Sequence, residues 1–200
     1  PLRETLAAAM VDLSRWKADV PLYDPCCGTG TLLIEAAFAA AHRAPGLTRG
    51  FACEKYRFIP QEAMKKLRTE AEKIYASKTD FDIGGSDIDP EAINLCKKHI
   101  KQAGLANRIP VEVRDLRTLQ LPQERGVFLC NPPYGERLSD RESCRALYRE
   151  LGLLLKRHPG WSMGALSSDP AFERHFGRRA NKKRRLYNGR LECNFYQFIR

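Results

Sequence analysis

Apolar and polar positions along the chain alternate between two kinds of stretch: short apolar runs with strand character, and longer segments whose apolar residues recur every three to four positions. Leu6, Met10 and Leu13 follow the helical spacing and predict a helix from the opening residues to about Ser14. Val20 to Tyr23 reads as a short core strand closed by Asp24-Pro25, and the apolar stretch Thr31 to Ala41 as a buried helix. Further on, Glu62 to Ala76 carries Ala63, Leu67, Ala71, Ile74 and Tyr75 on one face and predicts an amphipathic helix, within a segment 41–80 that reads as a helical insertion. Phe81 to Ser86, Ile109 to Val113 and Val127 to Cys130 are the next strands. Between the first two of these, a helix starts at Pro90, buries Ile93, Cys96 and Ile100, and stops at Gly104. A helix over Asp140 to Arg157 turns Cys144, Leu147, Leu151, Leu154 and Leu155 inward and is broken by His158-Pro159-Gly160. Trp161 to Ser167 is a fifth strand and Pro170 to Phe176 a short helix. Asn181 to Tyr187 and Glu192 to Ile199 then flank Asn188-Gly189, a strong hairpin signal. Strands alternating with helices predict an α/β domain: a mostly parallel seven-stranded sheet with helices on both faces, closing on an antiparallel C-terminal hairpin.

The strand ends carry the candidate chemistry. Asp24-Pro25-Cys26-Cys27-Gly28-Thr29-Gly30-Thr31 is a strand, a glycine turn and a helix start in succession, the arrangement of a nucleotide-type cofactor site. It lacks the third glycine of a dinucleotide fingerprint and the Lys-Ser/Thr of a P-loop, which disfavours pyrophosphate. The acid ahead of the glycines suits a cationic ligand, such as the amino group and sulfonium of S-adenosylmethionine. Asp89 with Pro90 is explained as a helix cap. Asp87, at the strand tip, has no such explanation and is placed to accept both hydroxyls of a ribose. Asp115 ends the third strand in the same way and is placed to accept from the exocyclic amine of an adenine.

The fourth strand stops at Asn131-Pro132-Pro133-Tyr134. Two prolines fix the loop, so the amide of Asn131, the carbonyl of Pro132 and the ring of Tyr134 are held in one relation. An exocyclic amine on a base is a poor nucleophile because its lone pair is delocalised into the ring. Two acceptors, the Asn131 side-chain oxygen and the Pro132 carbonyl, can bind its two N–H groups and turn the lone pair towards an electrophile, while Tyr134 stacks on the base. This clamp treats adenine and guanine alike and requires neither a metal nor a covalent nucleophile.

Composition narrows the setting. At 43% hydrophobic content, 200 residues suit one globular domain. No apolar run is long enough to span a bilayer. The seven cysteines form no CxxC pair and are odd in number, which predicts reduced thiols in a cytoplasmic protein, and the four histidines lack ligand spacing. The net charge of +10 is concentrated in the acid-free segment 174–190, with Arg174, Arg178, Arg179, Lys182, Lys183, Arg184, Arg185 and Arg190. Such a block predicts contact with a nucleic acid backbone.

Together, Asp24-Pro25-x-Cys27-Gly28-x-Gly30-Thr31, Asp87-Ile88-Asp89 and Asn131-Pro132-Pro133-Tyr134-Gly135-Glu136-Arg137 resemble the class I S-adenosylmethionine-dependent methyltransferases. More narrowly, they resemble the THUMP-associated guanine-N2 methyltransferases of large-subunit ribosomal RNA. The opening Pro1-Leu2-Arg3-Glu4 and Ala44-Pro45-Gly46-Leu47 are similar to the same family, so the resemblance covers essentially the whole chain, with Cys26 departing from a bulkier apolar residue. It implies a Rossmann-like fold and residues 1–200 as a single catalytic domain that an N-terminal THUMP domain precedes in the longer protein. It also implies S-adenosylmethionine as cofactor, S-adenosylhomocysteine as product and 23S ribosomal RNA as substrate. Thr5, Asp24, Pro25, Cys27, Gly28, Gly30, Asp87, Ile88, Asp115 and Asn131 would then line the cofactor, and Asn131, Pro132, Pro133 and Tyr134 the target base. Glu136 and Arg137 are equally well read as an ion pair bracing the loop. An adenine-N6 methylase and a protein glutamine methylase share the clamp, and a catalytically inactive RNA-binding module is the rival from another class.

Overall fold

A computed structural model describes residues 2–75, 80–134 and 138–200, without the side chains of 138–141. Seven strands form one sheet in the order β3-β2-β1-β4-β5-β7-β6. They are β1 (Leu22–Asp24), β2 (Ile83–Asp87), β3 (Val111–Val113), β4 (Gly126–Cys130), β5 (Trp161–Ser167), β6 (Lys182–Asn188) and β7 (Leu191–Phe198). The first five run parallel, and β7 is antiparallel to both β5 and β6. This is the predicted seven-stranded sheet with its antiparallel C-terminal hairpin. The third strand is shorter than its apolar pattern suggests: Pro110 has no N–H for the ladder, although its carbonyl still accepts from Gly85 at 3.1 Å.

The two faces of the sheet are covered separately. Helices α1 (Glu4–Ser14), α2 (Thr31–Ala40) and α4 (Pro90–Gln102) bury Leu6, Met10, Leu33, Ala36, Ile93 and Ile100 with Leu129 and Leu166 of the sheet. Helices α5 (Leu138–Arg157) and α6 (Phe172–Phe176) bury Tyr148, Leu151, Leu154 and Phe172 with Phe128, Cys130, Met163 and Ala165. Neighbouring residues of β4 and β5 thus serve opposite cores, as the two-residue period of a strand requires. Each fully buried Leu or Phe contributes about 1.5–3 kcal/mol relative to exposure. Among the described residues no helix is long and apolar enough to cross a membrane.

The insertion departs from its pattern. Helix α3 (Gln61–Tyr75) forms, but none of its residues is buried, and Leu67 and Ile74 are more than half exposed. Polar contacts anchor it instead: Arg68 donates to the carbonyls of Leu47 and Arg49 and pairs with Glu54 at 2.5 Å. The amphipathic stripe is real, but among the described residues none of its apolar positions is buried.

Gly152 sets the distance between α5 and α6. A β-carbon there would lie 2.0 Å from the Phe176 carbonyl oxygen, and backbone cannot swing aside as a flexible side chain can. Gly152→Ala is expected to destabilise the protein by about 1–3 kcal/mol through overpacking, despite a helix-propensity gain of about 1 kcal/mol. Denaturant midpoints check this, and an unchanged or raised midpoint refutes it.

Candidate active site

The order of the strands reverses between β1 and β4, and ligands of open α/β sheets bind at such a switch point, outside the carboxyl ends of the strands. Both informative stretches of the sequence arrive there side by side, because Leu22 and Tyr23 pair with Val127 and Phe128. One strand delivers the glycine turn and its neighbour delivers Asn131.

The turn is rigid and tied on three sides. Gly28 and Gly30 have φ of 51° and 86°, in the left-handed region that a side chain disfavours. At Gly30 a β-carbon would also meet the Cys96 sulfur of α4 at 2.5 Å, whereas at Gly28 it would point into open space. The Gly28 N–H donates to Asp87 Oδ2 at 2.8 Å, while Asp87 Oδ1 accepts from the Asp89 N–H at 3.0 Å. The Thr29 carbonyl lies 3.0 Å from Nδ1 of His99, so α4 holds the turn through a residue that the strand-and-turn reading passed over. Asp89 caps α4 by accepting from the Glu91 N–H at 2.8 Å, as its position before Pro90 predicted.

Asp24 is 2% exposed, and its Oδ1 accepts from the Cys26 N–H at 3.0 Å. Burial pushes its pKa well above the usual carboxylate range, against the lowering effect of that amide, and the charge of Asp87 adds to the rise. A buried acid of this kind favours the approach of a cation. The thiols of Cys26 and Cys130 are likewise pushed up, chiefly by burial, so neither is an activated nucleophile.

Beside the turn opens a cavity of about 640 Å³, lined by Pro25, Cys26, Asp87, Ile88, Asp115 and Pro133 along with one face of α5. Five of these six are predicted site residues and the sixth, Cys26, belongs to the glycine-turn motif; they meet from three strand ends and the Asn131 loop. Ser143, Leu147 and Glu150 of α5 complete the wall. Their spacing of four and three residues is the signal that a helix faces the site. Asp115 accepts from the Arg117 N–H at 2.9 Å and is ion-paired with the Arg117 side chain, which holds its pKa below the usual range. Its carboxylate is therefore shared with a local cap and does not stand open as the sequence suggested. Cys27 turns its side chain into the core, and its contribution to the turn is backbone. Thr5 is exposed in the first turn of α1 and is not among the described residues that line the cavity.

In the Asn131 loop Pro132 is buried and Pro133 exposed. The Tyr134 hydroxyl donates to Asn131 Oδ1, and its ring is half-buried against the α1/α2 core. Burial, and then the neighbouring Cys193, raise the Tyr134 pKa, so the phenol stays protonated. The ring foreseen as a stacking surface is thus partly covered by that core in this structure. Tyr148, fully buried on α5, donates to the Pro133 carbonyl at 2.9 Å and lies 3.4 Å from the Ser167 hydroxyl. It braces the loop from fifteen residues away. Gly135, Glu136 and Arg137 fall outside the described residues.

The parallel sheet with its reversed seventh strand, and a site split across the β1/β4 switch point, define the chain as a class I methyltransferase domain. Comparison with known proteins agrees: residues 1–197 match the model of UPF0020, the RMKL-like methyltransferase domain, and the chain belongs to that family. Ribosomal RNA large subunit methyltransferase K/L of Legionella pneumophila is 39% identical over 98% of this chain and 28% of its own. SMU.472, described as a methyltransferase and crystallised with SAH, is 38% identical with a TM-score of 0.94, over 100% of this chain and 53% of its own. A structure from Listeria monocytogenes, described as a predicted N6-adenine-specific DNA methylase, is 41% identical with a TM-score of 0.91, over 100% of this chain and 51% of its own. The chain therefore spans about half of each solved protein and less of the Legionella enzyme.

The buried acid gives a pH prediction. A carboxyl whose folded pKa is raised binds its proton more tightly in the folded state, so stability falls as pH rises from the unfolded value of about 4 to the folded one. Asp24→Asn keeps the acceptor for the Cys26 amide and removes that fall. Without ligand it should be at least as stable as the parent at neutral pH, with a flatter stability profile above pH 4; urea titrations across pH check this, and an unchanged slope refutes it.

Proposed function

We propose that this chain is the catalytic domain of an S-adenosylmethionine-dependent RNA methyltransferase that methylates the exocyclic N2 amine of a guanine in 23S ribosomal RNA. The observation that carries the reading is the meeting of the Asn131 loop with the Asp24–Asp87 turn at the carboxyl ends of adjacent strands. The RNA class and the large-subunit target are supported by the Legionella relative, and the cofactor by the SAH held in SMU.472. In this reading a THUMP domain precedes the catalytic domain in the longer protein, and the setting is the cytoplasm.

The residues present fit the cofactor. The open space over Gly28 admits a ligand against the backbone, Asp24 offers a buried acid to its cationic end, and Asp87 is fixed by two amides with further lone pairs towards the cavity. Ile88 and Pro133 supply apolar walls for an adenine, with Asp115 at its edge. Bound there, the cofactor supplies a methyl group on a positively charged sulfur. Asn131 Oδ1 and the Pro132 carbonyl take the two N–H groups of the target amine, with the amide exchanging its Tyr134 partner for the base. The nitrogen lone pair forms the new N–C bond as the C–S bond breaks, and the nitrogen then loses a proton to solvent. No side chain has to remove that proton first, because alkylation makes the nitrogen acidic.

Asn131→Ala should reduce kcat by about 100- to 1000-fold, on the scale of losing one preorganised hydrogen bond in an active site. Cofactor affinity should change only a few-fold, and equal losses in both would sink the assigned role.

An adenine-N6 methylase is the second reading, favoured by the description of the Listeria structure. Transfer of labelled methyl to ribosomal RNA from a strain lacking the gene, followed by nucleoside analysis, separates the two. Label in N2-methylguanosine is the expected result. Label in N6-methyladenosine selects the second reading, and tight cofactor binding without transfer to RNA overturns both as RNA activities.

A further inference from the structure

The basic segment 174–190 does not act as one block. Lys183 is paired with Glu173 at 3.4 Å and Arg185 with Glu192 at 3.5 Å on the edge strand β6, so part of its charge is already answered. Arg174 and Arg178 lie ahead of that strand, next to α5, with one Arg178 nitrogen donating to Asn181 Oδ1 at 3.1 Å and to the Ile199 carbonyl at 2.9 Å. There, a groove of about 700 Å³ runs between α5 and α6, lined by Arg149, Lys156, Arg174, His175 and Arg178, and none of its lining residues is acidic. Among the described residues Arg149, Lys156 and Arg174 have no acidic partner within ion-pair distance. The acids in and just before α6 already have partners. Glu173 is engaged by the Ala180 N–H at 2.8 Å and by Lys183, and Asp169 by the Ala171 N–H at 2.8 Å. Partial burial and then the positive field of Arg145 lower the pKa of His175, with Arg149 and Arg174 adding to the effect and Asp169 opposing it.

Such a concentration of like charge is unfavourable for the isolated protein and is offset by a polyanion. The groove exists because Gly152 lets the α6 backbone close on α5, so its width is set by packing. Its direction is informative as well. Arg149 and Lys156 lie seven residues apart, about 10 Å along the helix, which matches a repeating anion better than a single carboxylate. The opposite side of the same helix, through Leu147 and Glu150, walls the candidate active site. Arg149 directly follows Tyr148, whose hydroxyl holds the Pro133 carbonyl, so the groove and the Asn131 loop share one helix. Exposed Leu153 offers an apolar floor between the charges, suited to a sugar.

Resting on the RNA reading above, we propose that the α5/α6 groove is a second contact for the substrate RNA, binding its phosphodiester backbone through Arg149, Lys156, Arg174 and Arg178. It is separate from the pocket for the target base. The groove supplies affinity and orientation and does not take part in the methyl transfer.

The test uses the intact protein and the ribosomal RNA substrate. In the triple variant Arg149→Gln/Lys156→Gln/Arg174→Gln, the slope of log affinity against log salt should become shallower by about 2 to 3, near one for each phosphate contact removed. KM for RNA should rise at least about ten-fold by the same loss of contacts, while kcat at saturating RNA and cofactor affinity stay at the parent values. If the triple variant fails to fold, Arg149→Gln and Lys156→Gln singly should each flatten the slope by about one. A charge-keeping pair, Arg149→Lys/Arg174→Lys, should preserve the slope. If the parent methylates RNA and the variants keep its slope and KM, the groove assignment falls and the RNA reading stands. If the parent neither binds nor methylates RNA, both fall. Retention of poly-glutamate in preference to RNA by the parent, lost in the triple variant, makes the groove a protein-docking surface and overturns the proposal.

Discussion

The carboxylate of Asp87 links the end of β2 to the glycine turn that follows β1, using one oxygen for the Gly28 amide and the other for the Asp89 amide. A glycine turn on its own is free to sample many conformations, and glycine loses more conformational entropy on ordering than any other residue. The two hydrogen bonds to one charged acceptor offset that cost and fix the opening of α2 relative to α4. Charge-assisted bonds of this kind are shorter and about twice as strong as neutral ones. His99 on the Thr29 carbonyl and Cys96 against Gly30 then leave the turn one conformation. The cavity next to it has its shape because this loop is not free.

The sheet makes that local order useful. Parallel pairing of β1 with β4 brings the turn and the proline loop to the same edge, and the two-residue period of β4 sends Phe128 and Cys130 to one core and Leu129 to the other. The loop that follows is therefore anchored on both faces. Tyr148 adds a bond from α5 to the Pro133 carbonyl, so a helix whose main task is to cover the sheet also sets the position of the loop.

Much of this architecture is legible in the sequence, because it rests on local signals. Short apolar runs, Asp89-Pro90, the glycines and Asn188-Gly189 each act within a few residues, and the strands, caps and hairpin lie where those signals put them. What escapes the sequence is the choice of partner. Arg117 stands two residues after Asp115, but spacing alone does not say that it takes the carboxylate, and nothing near Tyr134 shows that its hydroxyl bonds to Asn131 beside Cys193. Tyr148 is not among the inward positions named from the helical spacing of α5; its hydroxyl gains a role once α5 lies across the loop. Helix α3 shows the converse: its periodicity predicts the helix correctly, but periodicity cannot say whether a neighbour exists to cover the apolar face.

The internal bond between Tyr134 and Asn131 bears on how the loop tells one-donor ligands from two-donor ones. With its side-chain acceptor already satisfied, the loop gains nothing by trading the phenol for a ligand with a single donor, since one hydrogen bond simply replaces another. In the proposed clamp a primary amine differs because its second N–H reaches a second acceptor, the Pro132 carbonyl, and the exchange then has a net gain. A ligand hydroxyl, with its single O–H, would thereby be left outside at no cost in steric bulk. A pocket wide enough for a nucleobase can in this way still tell an amino group from a hydroxyl.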